Sequence, residues 1–255
     1  MKFIVMKKKS FWLCLIAIVC MVILSLDVGG GASASVFFGS APRLVPIYSV
    51  DTIDKKVAIT FDTAWGADKT LDILKTLKEY EVNATFFMVG FWVEDYPEMV
   101  KAINEQGIEI GTHSNTHPDF NTLSEEAMRM ELETSINTIE SQIDKKVKLF
   151  RPPYGSYNNT MLNLTKSIGL KTIQWDVDTL DWKGLSGVEM CERVMKNVKN
   201  GSIILCHNNS DNILQGLPLI LERLKNAGYD VVSVGELIYE SDYYIDNLGI
   251  QRKNN

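Results

Sequence analysis

The chain has three histidines, and two of them, His113 and His117, stand four residues apart in Gly111-Thr112-His113-Ser114-Asn115-Thr116-His117-Pro118. Two imidazoles at this spacing can face one divalent cation, since H-x3-H is an interval that zinc sites use. A polar surface loop reads the same way, because a bare pair of histidines is a weak motif. Pro118 disfavours the helical region for His117, which puts the pair on a loop, and residues 107–111 before it read as a short strand. A cation held there would polarise a carbonyl and lower the pKa of bound water. Asp62 could take a proton from that water and the third histidine, His207, could protonate a leaving group. An acid and a base on opposite sides of the reacting carbon are what amide cleavage needs. Each residue also has a plainer reading: a strand-end cap for Asp62, a core histidine for His207, a structural ion pair for Arg151.

What positions these residues is an alternation of strand-like and helix-like segments. Residues 57–61 are apolar and strand-like, and 67–80 carry Leu71, Ile73, Leu74 and Leu77 at helical spacing. Strands follow at 84–89, 108–112, 148–151, 170–175, 202–206 and 230–234. Helices are expected at 97–106, 124–144, 158–168, 186–198 and 213–227. Ser124 with Glu125 and Glu126 offers an N-cap and two first-turn acids, while Gly169 and Gly228 close two of the helices. About seven β/α units imply a mostly parallel sheet, either closed into a barrel or left open and doubly wound. The polar residues fall repeatedly at strand ends: Asp62, His113, Arg151, Asp178 with Asp181, and His207. In a barrel they would converge on one face, and a random scatter of polar residues would not choose strand ends five times. This distribution argues for an enzyme.

The 255 residues, 45% hydrophobic, suit one large domain with a sizeable core. Residues 1–34 hold four lysines against Asp27, so the net charge of −6 leaves −9 on the remainder. An acidic body with no basic patch argues against nucleic acid as a partner. Lys7-Lys8-Lys9 followed by residues 11–26, polar only at Ser25, and then by Ala32-Ser33-Ala34 read as an export signal with an A-x-A cleavage site. Sixteen apolar residues are marginal for a span of roughly 20, so an uncleaved anchor is the alternative. The organisation expected is a signal peptide or membrane anchor over 1–34, a linker over 35–54, a catalytic domain over 55–241 and a fraying polar tail over 242–255. The protein is expected to be exported, monomeric, and to meet the membrane only through its N-terminal segment. Cys191 and Cys206 are expected to be buried free thiols.

Five motifs in order resemble the polysaccharide deacetylases, or carbohydrate esterase family four: Thr60-Phe61-Asp62-Thr63, His113-Ser114-Asn115-Thr116-His117, Arg151-Pro152-Pro153-Tyr154-Gly155, Asp178-Thr179-Leu180-Asp181-Trp182 and Leu205-Cys206-His207. The resemblance implies a distorted (β/α) barrel and hydrolysis of acetyl groups on amino-sugar polymers, here a cell-wall polysaccharide and foremost peptidoglycan. It implies Asp62 as general base, His207 as general acid, Arg151 holding Asp62 and Asp181 pairing with His207. It implies His113 and His117 as ligands of a divalent metal, Zn²⁺ foremost, with Co²⁺ or Mn²⁺ as substitutes. The backbone N–H of Tyr154 would help form an oxyanion hole, and Trp182 and Leu205 would wall the acetyl pocket. The family's first motif usually ends in two aspartates and a glycine, the second aspartate being a metal ligand. Thr63 stands there instead, within a T-F-D-x-x-W-G variant similar to the bacterial sporulation and cell-wall branch. Asp62 turning toward the cation, or Asp68, could replace the missing ligand. Two further readings stay open: a glycan-binding pseudoenzyme with a degraded metal site, and an O-acetyl esterase on xylan-like polymers.

Overall fold

The computed structural model describes residues 43–254, together with Lys9, Trp12 and residues 15–19. Those N-terminal residues are helical and exposed. The expected cleavage site and most of the export segment lie outside the described residues. Among those described, no helix is long and apolar enough to cross a membrane.

The strands, in chain order, are β1 (Ser49–Val50), β2 (Lys56–Thr63), β3 (Thr85–Met88), β4 (Glu109–Thr112), β5 (Leu149–Phe150) and β6 (Lys171–Thr172). They continue as β7 (Val177–Asp178), β8 (Ile203–His207), β9 (Asp230–Val232), β10 (Tyr243–Ile245) and β11 (Ile250–Lys253). Helices fill most of the intervals, among them Thr70–Glu79, Glu125–Glu140, Asn159–Ser167, Gly187–Asn197 and Ile213–Asn226. The main sheet runs β6-β5-β4-β3-β2-β8-β7, with β9 also on β2, and every pairing in it is parallel. The two ends of this path, β6 and β7, are not paired with one another, so the curled sheet is a distorted barrel open at that seam. The expected strand over 170–175 is in fact β6 alone. The chain bends at 173–176 to cross the seam and resumes as β7.

β2 is buried at every position but Lys56, the pattern of a parallel strand covered on both faces. Phe61 stacks on Phe86 of β3 with ring centroids 4.8 Å apart. Each fully buried side chain of this kind contributes about 1.5–3 kcal/mol. Ser124 caps the helix Glu125–Glu140 by accepting from the Ala127 N–H. Ser186 and Glu189 form a reciprocal capping box on Gly187–Asn197. Cys191 and Cys206 are buried and unpaired, as expected.

Two boundaries differ from the sequence reading. The second half of the expected linker belongs to the folded body. Ile47 and Val50 are buried, Ile47 bridges Ile173 beside the seam, and Val50 N–H donates to Gly201 C=O. The expected fraying tail instead forms β10 and β11, which with β1 make a second, three-stranded sheet. Several of its polar residues are paired: Arg252 donates to Asp246, and buried Gln251 exchanges hydrogen bonds with the Tyr239 backbone. Composition alone reads such a segment as loose because its apolar positions are few and short.

Candidate active site

Strand register brings the chemistry together. Asp62 at the end of β2 lies opposite His207 at the end of β8. Met88, Thr112 and Phe150 are aligned across β3, β4 and β5, so His113 and Arg151, each one residue beyond its strand, emerge beside Asp62. A cleft of about 700 Å³ opens there, lined by Asp62, His113, His117, Tyr154, Asp181, Trp182, Leu205 and His207. Of the sequence-derived set only Arg151 is behind the wall, fully buried.

Arg151 donates through one nitrogen to Asp62 Oδ1 and to Thr60 Oγ1, both at 2.8 Å, and through the other to Gln174 C=O at 3.1 Å. Its guanidinium lies 4.2 Å from the Phe87 ring centroid and 5.5 Å from that of Trp175. Burial pushes the Asp62 carboxyl up, but Arg151, His113 and His207 together outweigh it and hold the group below the usual carboxylate range. Asp62 is therefore an anion in a nearly enclosed position at the cleft wall, compensated by a fixed cation.

Across the cleft, Asp181 is saturated. Its Oδ1 accepts from His207 Nδ1 and Trp182 N–H, both at 2.8 Å, and its Oδ2 accepts from His207 N–H at 2.7 Å and Ser210 Oγ at 2.9 Å. A carboxylate can only accept, so the proton on this side of the ring sits on Nδ1. Burial lowers the His207 pKa, but the hydrogen bond and charge of Asp181, with Asp62 and Asp178, more than reverse it, and the net shift is upward.

The two remaining imidazoles are kept neutral. His113 Nδ1 donates to Arg151 C=O at 2.7 Å, which leaves its Nε2 lone pair 3.5 Å from Asp62 Oδ2. Burial lowers the His113 pKa. Burial and the neighbouring His113 bring that of His117 down to about 4. The His117 ring sits between Trp65 and Tyr154, at 4.8 Å to each centroid, and its Nδ1 is buried without a hydrogen-bond partner. Its loop hangs on Glu131, which accepts from the Asn115 and Thr116 N–H groups and the Thr116 hydroxyl. Ser114, His117, Tyr154 and Leu180 all adopt left-handed φ values of 54–76°. Such conformations cost non-glycine residues free energy and concentrate at functional sites.

A metal ion finds two ready imidazoles here, one orphaned nitrogen and one bare lone pair, but not a third ligand. Thr63 is fully buried and its hydroxyl donates back to Phe61 C=O at 3.3 Å. Asp68 is 69% exposed, pairs with Lys69 and does not line the cleft. Among the described residues no group of three or more His, Cys, Asp or Glu is arranged to hold a metal ion. The residues present therefore do not fit the three-ligand site that the family's first motif implies.

Residues 49–173 match the family model for polysaccharide deacetylase. The chain is 34% identical over 196 residues to a peptidoglycan-N-acetylglucosamine deacetylase of Bacillus cereus, covering 75% of this chain and 92% of that protein. It belongs to the polysaccharide deacetylase family. It is also 33% identical over 196 residues to the uncharacterized protein YlxY of Bacillus subtilis, a match covering 77% of this chain but only 61% of that relative. Among solved structures it resembles a pseudoenzyme of the same family from Bacillus anthracis, with a TM-score of 0.73, 35% identity, and coverage of 75% and 68% of the two chains. A mutant of that pseudoenzyme has restored enzymatic activity.

Several cleft residues were not singled out from sequence as site residues. Trp65, Trp175 and the run Asn208-Asn209-Ser210-Asp211 line the cleft. Ser210 reaches Asp181 as described, and Asn208 Nδ2 donates to Gly66 C=O at 2.9 Å. The signal available for the run was its position: four polar residues directly after an apolar strand that ends in a candidate acid.

Proposed function

We propose that this protein is an exported hydrolase that removes N-acetyl groups from amino sugars of a cell-wall polysaccharide, with peptidoglycan as the foremost substrate. The observation that carries the reading is the pair Asp62 and His207. They stand in register on neighbouring strands at one cleft, the first held ionised by Arg151 and the second held protonated by Asp181. Two titratable groups whose surroundings push them in opposite directions divide the roles of base and acid.

In this reading Asp62 takes a proton from a water as its oxygen adds to the acetyl carbonyl carbon. The oxyanion is met by the Tyr154 backbone N–H. His207 then gives its proton to the sugar nitrogen as the C–N bond breaks, releasing acetate and a free amine. Arg151 and Asp181 touch no substrate; they orient and bias the two catalytic groups. Trp182 and Leu205 wall the acetyl methyl. A divalent cation at His113 and His117 would polarise the carbonyl, but these residues do not complete its site, and no step above depends on it.

The incomplete ligand set favours one alternative, a family member that binds glycan without turning it over. Acetate release from purified peptidoglycan, chitin oligomers and acetylated xylan, each with and without added Zn²⁺ or Co²⁺, separates the readings. Release from peptidoglycan supports the deacetylase. Binding without release under every condition supports the pseudoenzyme. Release from xylan alone would make the protein an O-acetyl esterase.

A further inference from the structure

Gln174 lies in the bend that crosses the barrel seam, within Leu170-Lys171-Thr172-Ile173-Gln174-Trp175, and only 1% of it is exposed. A buried amide costs free energy unless it is hydrogen-bonded, and an apolar side chain of the same length would fill this place without that requirement. Its partners therefore say what it is for. The Gln174 N–H donates to Ile47 C=O at 2.7 Å, which ties the bend to the segment beside the seam. The Gln174 C=O accepts from Arg151 at 3.1 Å. The side-chain Nε2 donates to Gly155 C=O at 2.9 Å; a carbonyl only accepts, so the amide nitrogen is the atom that faces it.

The last two bonds bracket one loop. Arg151 opens Arg151-Pro152-Pro153-Tyr154-Gly155 and Gly155 closes it, so a single residue holds both ends. Between them Tyr154 adopts φ 58° and Gly155 φ 67°. A left-handed tyrosine persists only where its surroundings over-determine it. The Gly155 N–H closes the turn from within by donating to Pro152 C=O at 3.1 Å, and Gln174 closes it from behind. The fit is tight, since a Cβ on Gly155 would lie 3.2 Å from both Gln174 Oε1 and Trp175 Cη2. The Tyr154 N–H belongs to this turn, so its direction follows the turn's.

We propose that Gln174 is a positioning residue: its side chain holds the Tyr154–Gly155 turn and so aims the Tyr154 N–H, while its main chain holds the arginine that orients Asp62. The inference rests on the function proposed above. Only the first task depends on the side chain, which opens it to substitution. Gln174→Met keeps the length and the main-chain carbonyl but removes the donor; Gln174→Leu is the second variant should the first fold poorly. On peptidoglycan, kcat should fall roughly tenfold or more, short of the roughly 10²–10³ lost when an oxyanion donor is removed outright. KM should stay within about twofold, because the loss is confined to the transition state. A merely structural glutamine would lower the melting temperature and leave the kcat of the folded protein unchanged. In the full chain labelled with ¹⁵N, the Tyr154 and Gly155 amide signals should broaden or split in the variant as the turn samples other conformations, while those of Asp62 and His207 stay sharp. A kcat within about twofold of the parent, measured well below melting, would overturn the proposal. Should the unmodified chain release no acetate, the proposed reaction fails on its own account and the amide signals decide. Sharp, single Tyr154 and Gly155 signals in Gln174→Met would then overturn the positioning role, and broadened ones would support it.

Discussion

The two walls of the cleft are built to different standards. On the wall of Asp181 and His207, one carboxylate accepts four hydrogen bonds and the imidazole it holds has a defined tautomer. On the wall of His113 and His117, the position next to Asp62 is a threonine whose hydroxyl turns back to its own strand, and one imidazole nitrogen is left without a partner. In the proposed reaction the proton-transfer parts of this site are complete and the cation-holding part is not. The difference teaches that the two proposed functions are separable in this fold, because His113 and His117 follow β4 whereas Asp62 and His207 lie on β2 and β8.

The comparison breaks most severely if either proton-transfer group is dispensable. His207→Ala and Asp62→Asn should each lower kcat for acetate release by roughly 10²–10⁴, the usual range for a lost acid or base. His207→Ala should lower the melting temperature modestly, because it removes one donor to the buried Asp181 carboxylate. Asp62→Asn should lower it more, because it removes the counter-charge of a fully buried arginine. Near-normal turnover in either variant, measured on peptidoglycan, would remove the assigned role.

A smaller effect sharpens the other wall. Thr63→Asp should tighten Zn²⁺ binding to the metal-free protein roughly tenfold or more, about 1.4 kcal/mol, since catalytic zinc sites usually keep three protein ligands. A wild-type chain that already binds as tightly in calorimetry would mean that a third ligand exists.

The pH dependence comes next. Because His207 is shifted upward, acetate release should persist through neutrality and fall as pH rises through its raised pKa. It should extend on the acid side below the ordinary carboxylate range, where Asp62 is still ionised. The stability linkage has the same signs. The His207–Asp181 pair contributes fully below the unfolded histidine pKa of about 6.5 and is lost as pH rises through the folded value. The Asp62–Arg151 pair contributes above the unfolded aspartate pKa of about 3.9 and is lost as pH falls through the folded one. Asp181→Asn should move the alkaline limb of the rate profile to lower pH; an unmoved limb would assign it to another group. The smallest effect is Asp68→Ala, which should change Zn²⁺ affinity by less than about twofold, its carboxylate being exposed and away from the cleft.

The placement of most candidate site residues was legible in the sequence because parallel strands deliver whatever follows them to one face. Asp62, His113, Arg151 and His207 each needed only a strand end to be placed. The parts that were not legible depend on contacts between distant segments. Nothing in Trp65 alone says that Gly66 will be clasped by Trp92 and by Asn208, 142 residues further on. Ser210 acquires its partner only once the loop after β8 folds against Asp181. The second sheet was invisible for a different reason: β1, β10 and β11 are two to four residues long, too short for any periodicity to show. The break between β6 and β7 reflects the seam of the barrel, a property of closure rather than of local pattern.

β2 carries Asp62 and is also the strand most enclosed by others: β8 pairs with Ala58–Asp62, β3 with Thr60–Thr63, and β9 with Lys56–Ala58. Its amide protons should therefore exchange with solvent only when the whole domain opens, among the slowest in the molecule. The loop of His117, held by Glu131 and by the Gly90 and Phe91 N–H groups rather than by strands on both sides, should exchange sooner. A brief thermal excursion that scrambles the imidazole side of the cleft would leave Asp62 in register, a fixed template on which the rest can re-form.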